Sequence, residues 1–347
     1  MILKEINGDQ LIELITSAAL NLRANYQEVD ELNVFPVPDG DTGTNMSRTI
    51  EGGVNAIKDL KGQDVGVIAK ALSKGMLMSA RGNSGVILSQ IFRGICKGLV
   101  DKTTISVKEL GEAYKLGVKQ AYGAVETPVE GTILTVFREA TEAACEAITD
   151  DTTVNQFFEI HLKKALVSLQ NTTKLLPVLK EAGVIDSGGC GYTYIVKGIV
   201  KYLDGEKIEL EIENANKEEA PAVDFSAFSK DDTLKFGYCT EFILRLQTSK
   251  VDVEAFDVNT IIDILKNDQI QGDSIVALKD EDVIKVHVHT MNPGHVLNEM
   301  RAFGEFLTIK IENMALQHNE SLADEEKETQ IAEHKKYAVV AVAQGSG

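Results

Sequence analysis

The sequence predicts a chain in two parts, an all-α N-terminal region followed by a smaller α+β domain. Three observations predict it. Apolar residues recur every three to four positions through residues 9–204, with no convincing strand pattern among them. An acidic stretch then interrupts the periodicity at 205–224. From residue 225 the apolar period shifts to two, as in half-buried strands. A length of 347 residues suits two domains and part of a third, and 44% apolar residues supply cores for them.

The first helix is read from Leu11, Ile12, Ile15, Ala18, Ala19 and Leu22, which share one face. Seven more follow at about 43–60, 64–78, 84–100, 106–125, 131–149, 154–170 and 189–204, with a short extra turn near 173–182. Glycine loops at 39–45, 82–85 and 186–191 sit at the mouths of helices. The stretch 205–224, rich in Glu and holding Pro221, reads as a linker with a short edge strand at 208–212. Beyond it come a strand at 236–247, a helix at 253–267 and strands at 273–279 and 282–290. A helix at 293–303 and a strand at 305–311 complete a βαββαβ order, which suits a ferredoxin-like sandwich within 225–335. The run Tyr337 to Gly347 is a buried-strand pattern ending in a glycine turn. A strand so apolar needs a sheet to join, so a third domain is expected to begin at about 336 and to be cut short at 347.

Charge narrows the function. Lys and Arg number 35 against 53 Asp and Glu, giving a formal net charge of −18. Nucleic acid and anionic membranes need clustered cations, so both are excluded as partners. No apolar run reaches the ~18 residues of a spanning helix, and the N-terminus lacks a signal-peptide pattern. The four cysteines, at 96, 145, 190 and 239, form no C-x-x-C pair. A soluble, reduced, cytoplasmic protein is the expectation.

The chemistry is carried by the stretch from Asn33 to Met46. Asp39 and Asp41 stand at i and i+2 around Gly40, flanked by Pro36, Pro38 and Gly43. Two acids on so tight a turn repel unless a cation separates them. Mg²⁺ takes such oxygen ligands, usually one or two carboxylates together with substrate phosphates. A plain Asp-Gly surface turn is the competing reading. A second loop, Arg81-Gly82-Asn83-Ser84-Gly85, opens an apolar helix and offers free amides to an anion. A third, Asp186-Ser187-Gly188-Gly189, has the same design, with Cys190 beside it. Three such loops, one with paired acids, predict a Mg²⁺–nucleotide site, although neither the P-loop nor the G-x-G-x-x-G fingerprint is present. The phosphate amides are assigned to Gly82, Asn83, Ser84 and Gly85, with Arg81 to offset charge. Thr42, Thr44, Asn45 and Met46 are assigned to the nucleotide pocket, and Asp186, Ser187, Gly188 and Gly189 to its purine or ribose side. Thr132 reads equally as a plain N-cap and as a nucleotide contact.

These motifs resemble the nucleotide-binding (L) domain of dihydroxyacetone kinases. The variant Asn33-Val-Phe-Pro-Val-Pro-Asp39 and the layout of residues 1 to about 335 look more like the ATP-binding subunit of bacterial fatty acid kinase. The resemblance implies that the eight helices form an antiparallel barrel with the three loops at one end. It implies a homodimer, and a C-terminal domain that engages a fatty-acid-binding carrier protein. In dihydroxyacetone kinases a third Asp upstream of the pair binds metal. Here Asn33 is the nearest polar residue, and its amide oxygen is the substitute ligand.

The α+β domain holds a second constellation. On Val283–His289, alternation places His287 and His289 on one face, about 6.6 Å apart along the backbone, with Ile284, Val286 and Val288 on the other. Cys239 lies on the first strand, adjacent to theirs in the usual strand order. One Cys and two His suit Zn²⁺, with His295, Glu241 or water as the fourth ligand. Two surface histidines are the alternative. Cys96 and Cys145 read as core, and His161, His318 and His334 carry no motif.

The leading expectation is a phosphotransferase moving the γ-phosphoryl of ATP to a fatty acid carboxylate held by the carrier, giving an acyl phosphate. The alternatives are a dihydroxyacetone-type kinase, a non-catalytic nucleotide or metal sensor, and a zinc-stabilised scaffold.

Overall fold

The architecture is that of a computed structural model, which describes residues 2–36, 38–125, 127–206, 208 and 237–314. The expected acidic linker falls almost wholly outside the described residues. So do most of the short edge strand at 208–212, the opening of the third domain, His318 and His334.

The first part of the chain forms β1 (Glu5–Ile6), α1 (Gly8–Arg23), α2 (Tyr26–Glu31), α3 (Thr42–Ile57), α4 (Val65–Ser79) and α5 (Gly82–Lys97). They are followed by β2 (Ile105–Ser106), α6 (Val107–Ala124), α7 (Ile133–Glu146), α8 (Val154–Leu175), α9 (Pro177–Ala182) and α10 (Ser187–Asp204). Eight of these helices have 14 to 22 residues and coincide with the eight expected segments. Local chemistry starts several of them. Asn7 with Gln10, Ser106 with Glu109 and Thr153 with Gln156 are reciprocal capping boxes at α1, α6 and α8. Helix α2 is not among the expected segments, because its six residues are too few to display a period.

Each long helix buries one stripe. Helix α1 packs on α10, α3 and α4; α3 and α4 pack on α5; and the succession α5, α6, α7, α8, α10 returns to α1. An aromatic cluster of Tyr114, Phe137, Phe157, Phe158 and Tyr192 surrounds His161, whose Nε2 lies 2.7 Å from the Tyr192 hydroxyl. Burial pushes the His161 pKa down to about 3, so this histidine is a neutral core residue.

The second domain comprises β3 (Tyr238–Leu246), α11 (Asn259–Leu265), β4 (Asp273–Asp280), β5 (Val283–Thr290), α12 (Pro293–Met300) and β6 (Gly304–Asn313). The sheet is antiparallel in the order β4-β5-β3-β6, the split-βαβ order that brings Cys239 beside His289 in register. Phe242, Leu244, Ile284, Val286 and Val288 face Ile261, Leu265, Val296 and Met300 of the two helices. The expected helix at 253–267 begins only at Asn259. Asp252 captures the Ala255 N–H at 3.1 Å and Asp257 the Asn259 N–H at 3.0 Å, so these residues turn instead of continuing a helix.

The other face of the sheet docks on the helical domain. Val276 and Leu278 bury against Leu77, Ala80 and Val86, and Arg93 Nη2 donates to the Lys279 carbonyl at 2.6 Å. Lys285 Nζ donates to the carbonyl of Ala80.

Candidate active site between the two domains

The N-termini of α3, α5, α7 and α10 meet at one end of the helical domain and line a cavity of about 300 Å³. The sheet face of the second domain closes its other side, through Cys239, Glu241, His287, His289, Lys310 and Glu312. Two sites that are separate in the sequence therefore form one. Each helix start presents free N–H groups and the positive end of a dipole, so four of them aimed at one space favour an anion there. Neither Asp41, preceding α3, nor Arg81, preceding α5, caps its helix with its side chain. The amides of Asn83 and Ser84 have no hydrogen-bond partner among the described residues, and both residues line the cavity.

Asp39 and Asp41 lie half-buried at the mouth of α3 and hydrogen-bond one another. Burial, then the charge of Asp41, pushes the Asp39 carboxyl up to about 8; burial also raises Asp41. Side by side the two carboxyls are harder to ionise than either alone, and a divalent ion between the carboxylates would offset their repulsion. Asn33 Nδ2 donates to Asp39 Oδ1 at 2.5 Å, so Asn33 steadies that carboxylate with its N–H instead of presenting a carbonyl oxygen. Asn45 hydrogen-bonds Asp41.

The turn before α3 is held by Asp30 on α2, which belongs to none of the sequence motifs. Its Oδ1 accepts from the Gly43 and Thr44 amides at 2.6 and 3.0 Å, and its Oδ2 from the Thr44 hydroxyl at 2.7 Å. Gly43 is required there, since a Cβ would sit 2.1 Å from the Tyr26 carbonyl oxygen. Gly82 has φ +55°, and a Cβ on it would sit 2.5 Å from Asn45 Nδ2. The bare backbone lets α5 start directly against α3.

On the far wall, Thr132 caps α7 through the Leu134 amide and donates to the Val129 carbonyl at 2.8 Å. Asp186 caps α10, accepting from the Gly189 amide at 2.6 Å, and burial pushes its pKa up to about 6. Ser187 Oγ donates to Thr42 Oγ1 at 3.3 Å. Thr132, Asp186, Ser187 and Gly188 all line the cavity, as do Thr42, Asn45 and Gly82.

Five of the expected residues do not line it. Thr44 is committed to Asp30, Met46 is buried against Gly191, and Gly85 meets Thr49 where α5 crosses α3. Gly189 serves the Asp186 cap. Arg81 lies beside Lys285, whose pKa is lowered to about 8 by burial, against the pull of Glu241 and with the push of Arg81. Cys190 is buried away from the cavity, where burial pushes its thiol up to about 11.

Cys239, His287 and His289 bring one ligand atom each to within 4.8 Å of one another. His287 Nε2 is 3.1 Å from His289 Nε2, the spacing of two donors on one ion, and Cys239 Sγ is 3.8 Å from His287 Nδ1. A thiol and two imidazoles in this arrangement fit zinc. Glu241 Oε1 lies 2.9 Å from His287 Nδ1. Burial opposes a charge on His287, but Cys239 and Glu241 beside it raise its pKa to about 10. Burial and then His287 lower His289 to about 4. Glu241 is held at about 2 despite burial, by His287, Lys285 and the Gly82 amide. His295, weighed as a fourth ligand, does not line the cavity; Glu241 does. Lys310, paired with Glu312 at 2.5 Å, is the one lysine or arginine among the described residues lining the cavity.

Residues 36–201 match the family described as DAK2 domain, and residues 235–321 match the family of fatty acid kinase A-like middle domains. In domain composition the chain is similar to the fatty acid kinase A-like proteins. It is 41% identical over 356 residues to a Staphylococcus haemolyticus protein described as uncharacterized, covering 99% of this chain and 63% of that one. A Staphylococcus aureus (strain USA300) protein, also described as uncharacterized, is 41% identical over 349 residues, with coverage of 99% and 62%. The chain thus spans a little under two thirds of the relatives it matches. Among solved structures, the dihydroxyacetone kinase from C. freundii in complex with AMP-PNP and Mg²⁺ aligns with TM-score 0.41 at 17% identity, over 55% of this chain and 33% of that one. Its native form aligns with TM-score 0.41 at 16% identity, over 58% and 36%.

Proposed function

We propose that the chain is the ATP-binding part of a fatty acid kinase, transferring the γ-phosphoryl of ATP to a fatty acid carboxylate presented by a separate carrier protein. The observation that carries this reading is the convergence of four helix N-termini on the Asp39–Asp41 pair, inside a cavity closed by the second domain. The two matching domain families support it. Closure of the helices into a barrel, a homodimer and a cytoplasmic location belong to the same reading.

Asp39 and Asp41 would hold Mg²⁺, with Asn33 and Asn45 fixing their carboxylates. Held there, Mg²⁺ would supply positive charge to offset that of the nucleotide phosphates. The amides of Asn83 and Ser84 receive phosphate oxygens, and Thr132, Ser187 and Gly188 bound the nucleotide's other end. Phe35, Ile87, Ile133 and Ile275 give the cavity apolar walls that exclude water. A carboxylate acceptor is ionised at neutral pH, so no strong general base is needed. The residues have to position two anions against each other and offset their charge. Lys310 is the side chain placed to do the latter. Cys239, His287 and His289 would hold Zn²⁺, which would supply a further positive charge on the sheet side of the cavity.

The test is direct. A full-length relative given ATP, Mg²⁺ and a fatty-acid-loaded carrier should form an acyl phosphate, trapped by hydroxylamine as a hydroxamate. Nucleotide binding with no hydroxamate would reject the acceptor and favour a sensor.

A further inference from the structure

Glu241 stands where the two halves of the cavity meet. One of its oxygens, Oε1, serves two partners from different domains. It accepts the Gly82 N–H at 2.8 Å and lies 2.9 Å from His287 Nδ1. Glu241 is 6% exposed and His287 is 1% exposed, so neither contact is a passing surface bond. Because Nδ1 faces Glu241, His287 has only Nε2 left for a metal, and that atom is the one 3.1 Å from His289 Nε2. A metal-bound histidine ordinarily gives its second N–H to a carboxylate, which fixes the ring's tautomer and orientation. Here that carboxylate also holds the first amide of α5. The loop is gripped a second time two residues earlier, where Lys285 Nζ meets the Ala80 carbonyl.

We propose that Glu241 is a positioning residue that couples a metal at Cys239, His287 and His289 to nucleotide phosphates at the start of α5. A metal on His287 Nε2 fixes Nδ1–H as a donor. Glu241 is then held in place, and its oxygen sets the Gly82 amide. The amides of Asn83 and Ser84, the next two along the helix, are thereby aimed into the cavity. Without a metal nothing holds His287 Nε2 in place, so the ring, Glu241 and the start of α5 are less firmly fixed. The coupling is reciprocal: whatever the metal adds to nucleotide affinity, the nucleotide adds to metal affinity. The chain of contacts has a single intermediate residue, which makes the claim specific to Glu241. It rests on the nucleotide site proposed above.

The experiment uses cobalt(II) in place of zinc as a visible reporter, and ADP with Mg²⁺ as the probe. In the wild-type chain, ADP is expected to shift the cobalt absorption bands, and cobalt to tighten ADP binding about tenfold, within the usual range for coupled sites. In Glu241→Gln both still bind, but the spectral shift disappears and the affinity gain falls below about twofold. Unchanged coupling in Glu241→Gln overturns the proposal, as does a wild-type chain that binds both with no coupling. A wild-type chain that does not bind ADP overturns the nucleotide site itself, which is a different result. Should Glu241→Gln not fold, hydrogen exchange of the wild-type segment 80–88 decides. Exchange at the start of α5 should slow at least several-fold on adding zinc, and equal rates with and without zinc overturn the coupling.

Discussion

Replacing Asp41 by Asn should make the metal-free protein more stable while destroying its response to Mg²⁺. The carboxyl of Asp39 is raised from 3.8 to about 8, by burial and then by Asp41. Folding therefore takes up protons between about pH 4 and pH 8, and stability falls as pH rises through that window. At about 1.4 kcal/mol per pH unit, the ceiling on this penalty is ~6 kcal/mol. Half-exposure and solvent screening reduce it to on the order of 2 kcal/mol. Removing the Asp41 charge relieves part of that, about 1–2 kcal/mol, or roughly 3–6 °C in Tm for a domain of this size. The assay is thermal unfolding followed by circular dichroism at pH 6 and pH 8, with and without Mg²⁺ and ADP. The wild-type protein should gain from Mg²⁺ and ADP, and gain more at pH 8, because the ion displaces a proton. Asp41→Asn should start higher at pH 8 and gain little. A variant less stable than the wild type at pH 8 without metal would refute the reasoning, as would a wild-type Tm independent of pH.

Three further outcomes follow from the same geometry. Lys310→Gln should lower the transfer rate by ten-fold or more and change ADP binding by no more than about threefold, since its charge is needed where charge develops; steady-state kinetics beside calorimetry separate the two. Gly82→Ala combines left-handed backbone, about 1–2 kcal/mol, with a Cβ 2.5 Å from Asn45 Nδ2; nucleotide affinity should fall at least tenfold, and an unchanged Kd would show that Asn45 moves freely. Cys239→Ser should abolish stoichiometric zinc, measured by metal analysis after dialysis, while circular dichroism stays unchanged, because Cys239 lies outside the sheet's apolar core.

Much of the site was legible because its parts are local. Asp39-Gly40-Asp41 is a turn motif, and Ser187 and Thr132 stand next to helix starts that composition alone suggests. His287 and His289 share a face by alternation, and Cys239 joins them once the split-βαβ strand order is assumed. Long-range relations were not legible. Glu241 meets Gly82 across 159 positions, and Lys310 reaches the cavity only because β6 pairs with β3. No spacing announces either. For the same reason the nucleotide motif and the Cys–His cluster read as two sites, although the docked sheet makes them one. Asp30 escaped notice because it lies on a helix too short to show a period, 13 residues from the amide it holds. Gly85 and Met46 misled in the opposite direction: they belong to the motif by sequence, but their side of the helix faces the core.

We propose that residues from both domains build one Mg²⁺–nucleotide site. This is tested most directly by calorimetric titration of AMP-PNP into the chain, with and without Mg²⁺, for the wild type and Asp41→Ala. Mg²⁺-dependent binding at one site per chain is expected, abolished by the substitution while the fold persists. Absence of binding to well-folded wild-type protein, or binding that survives the loss of Asp41, would contradict it.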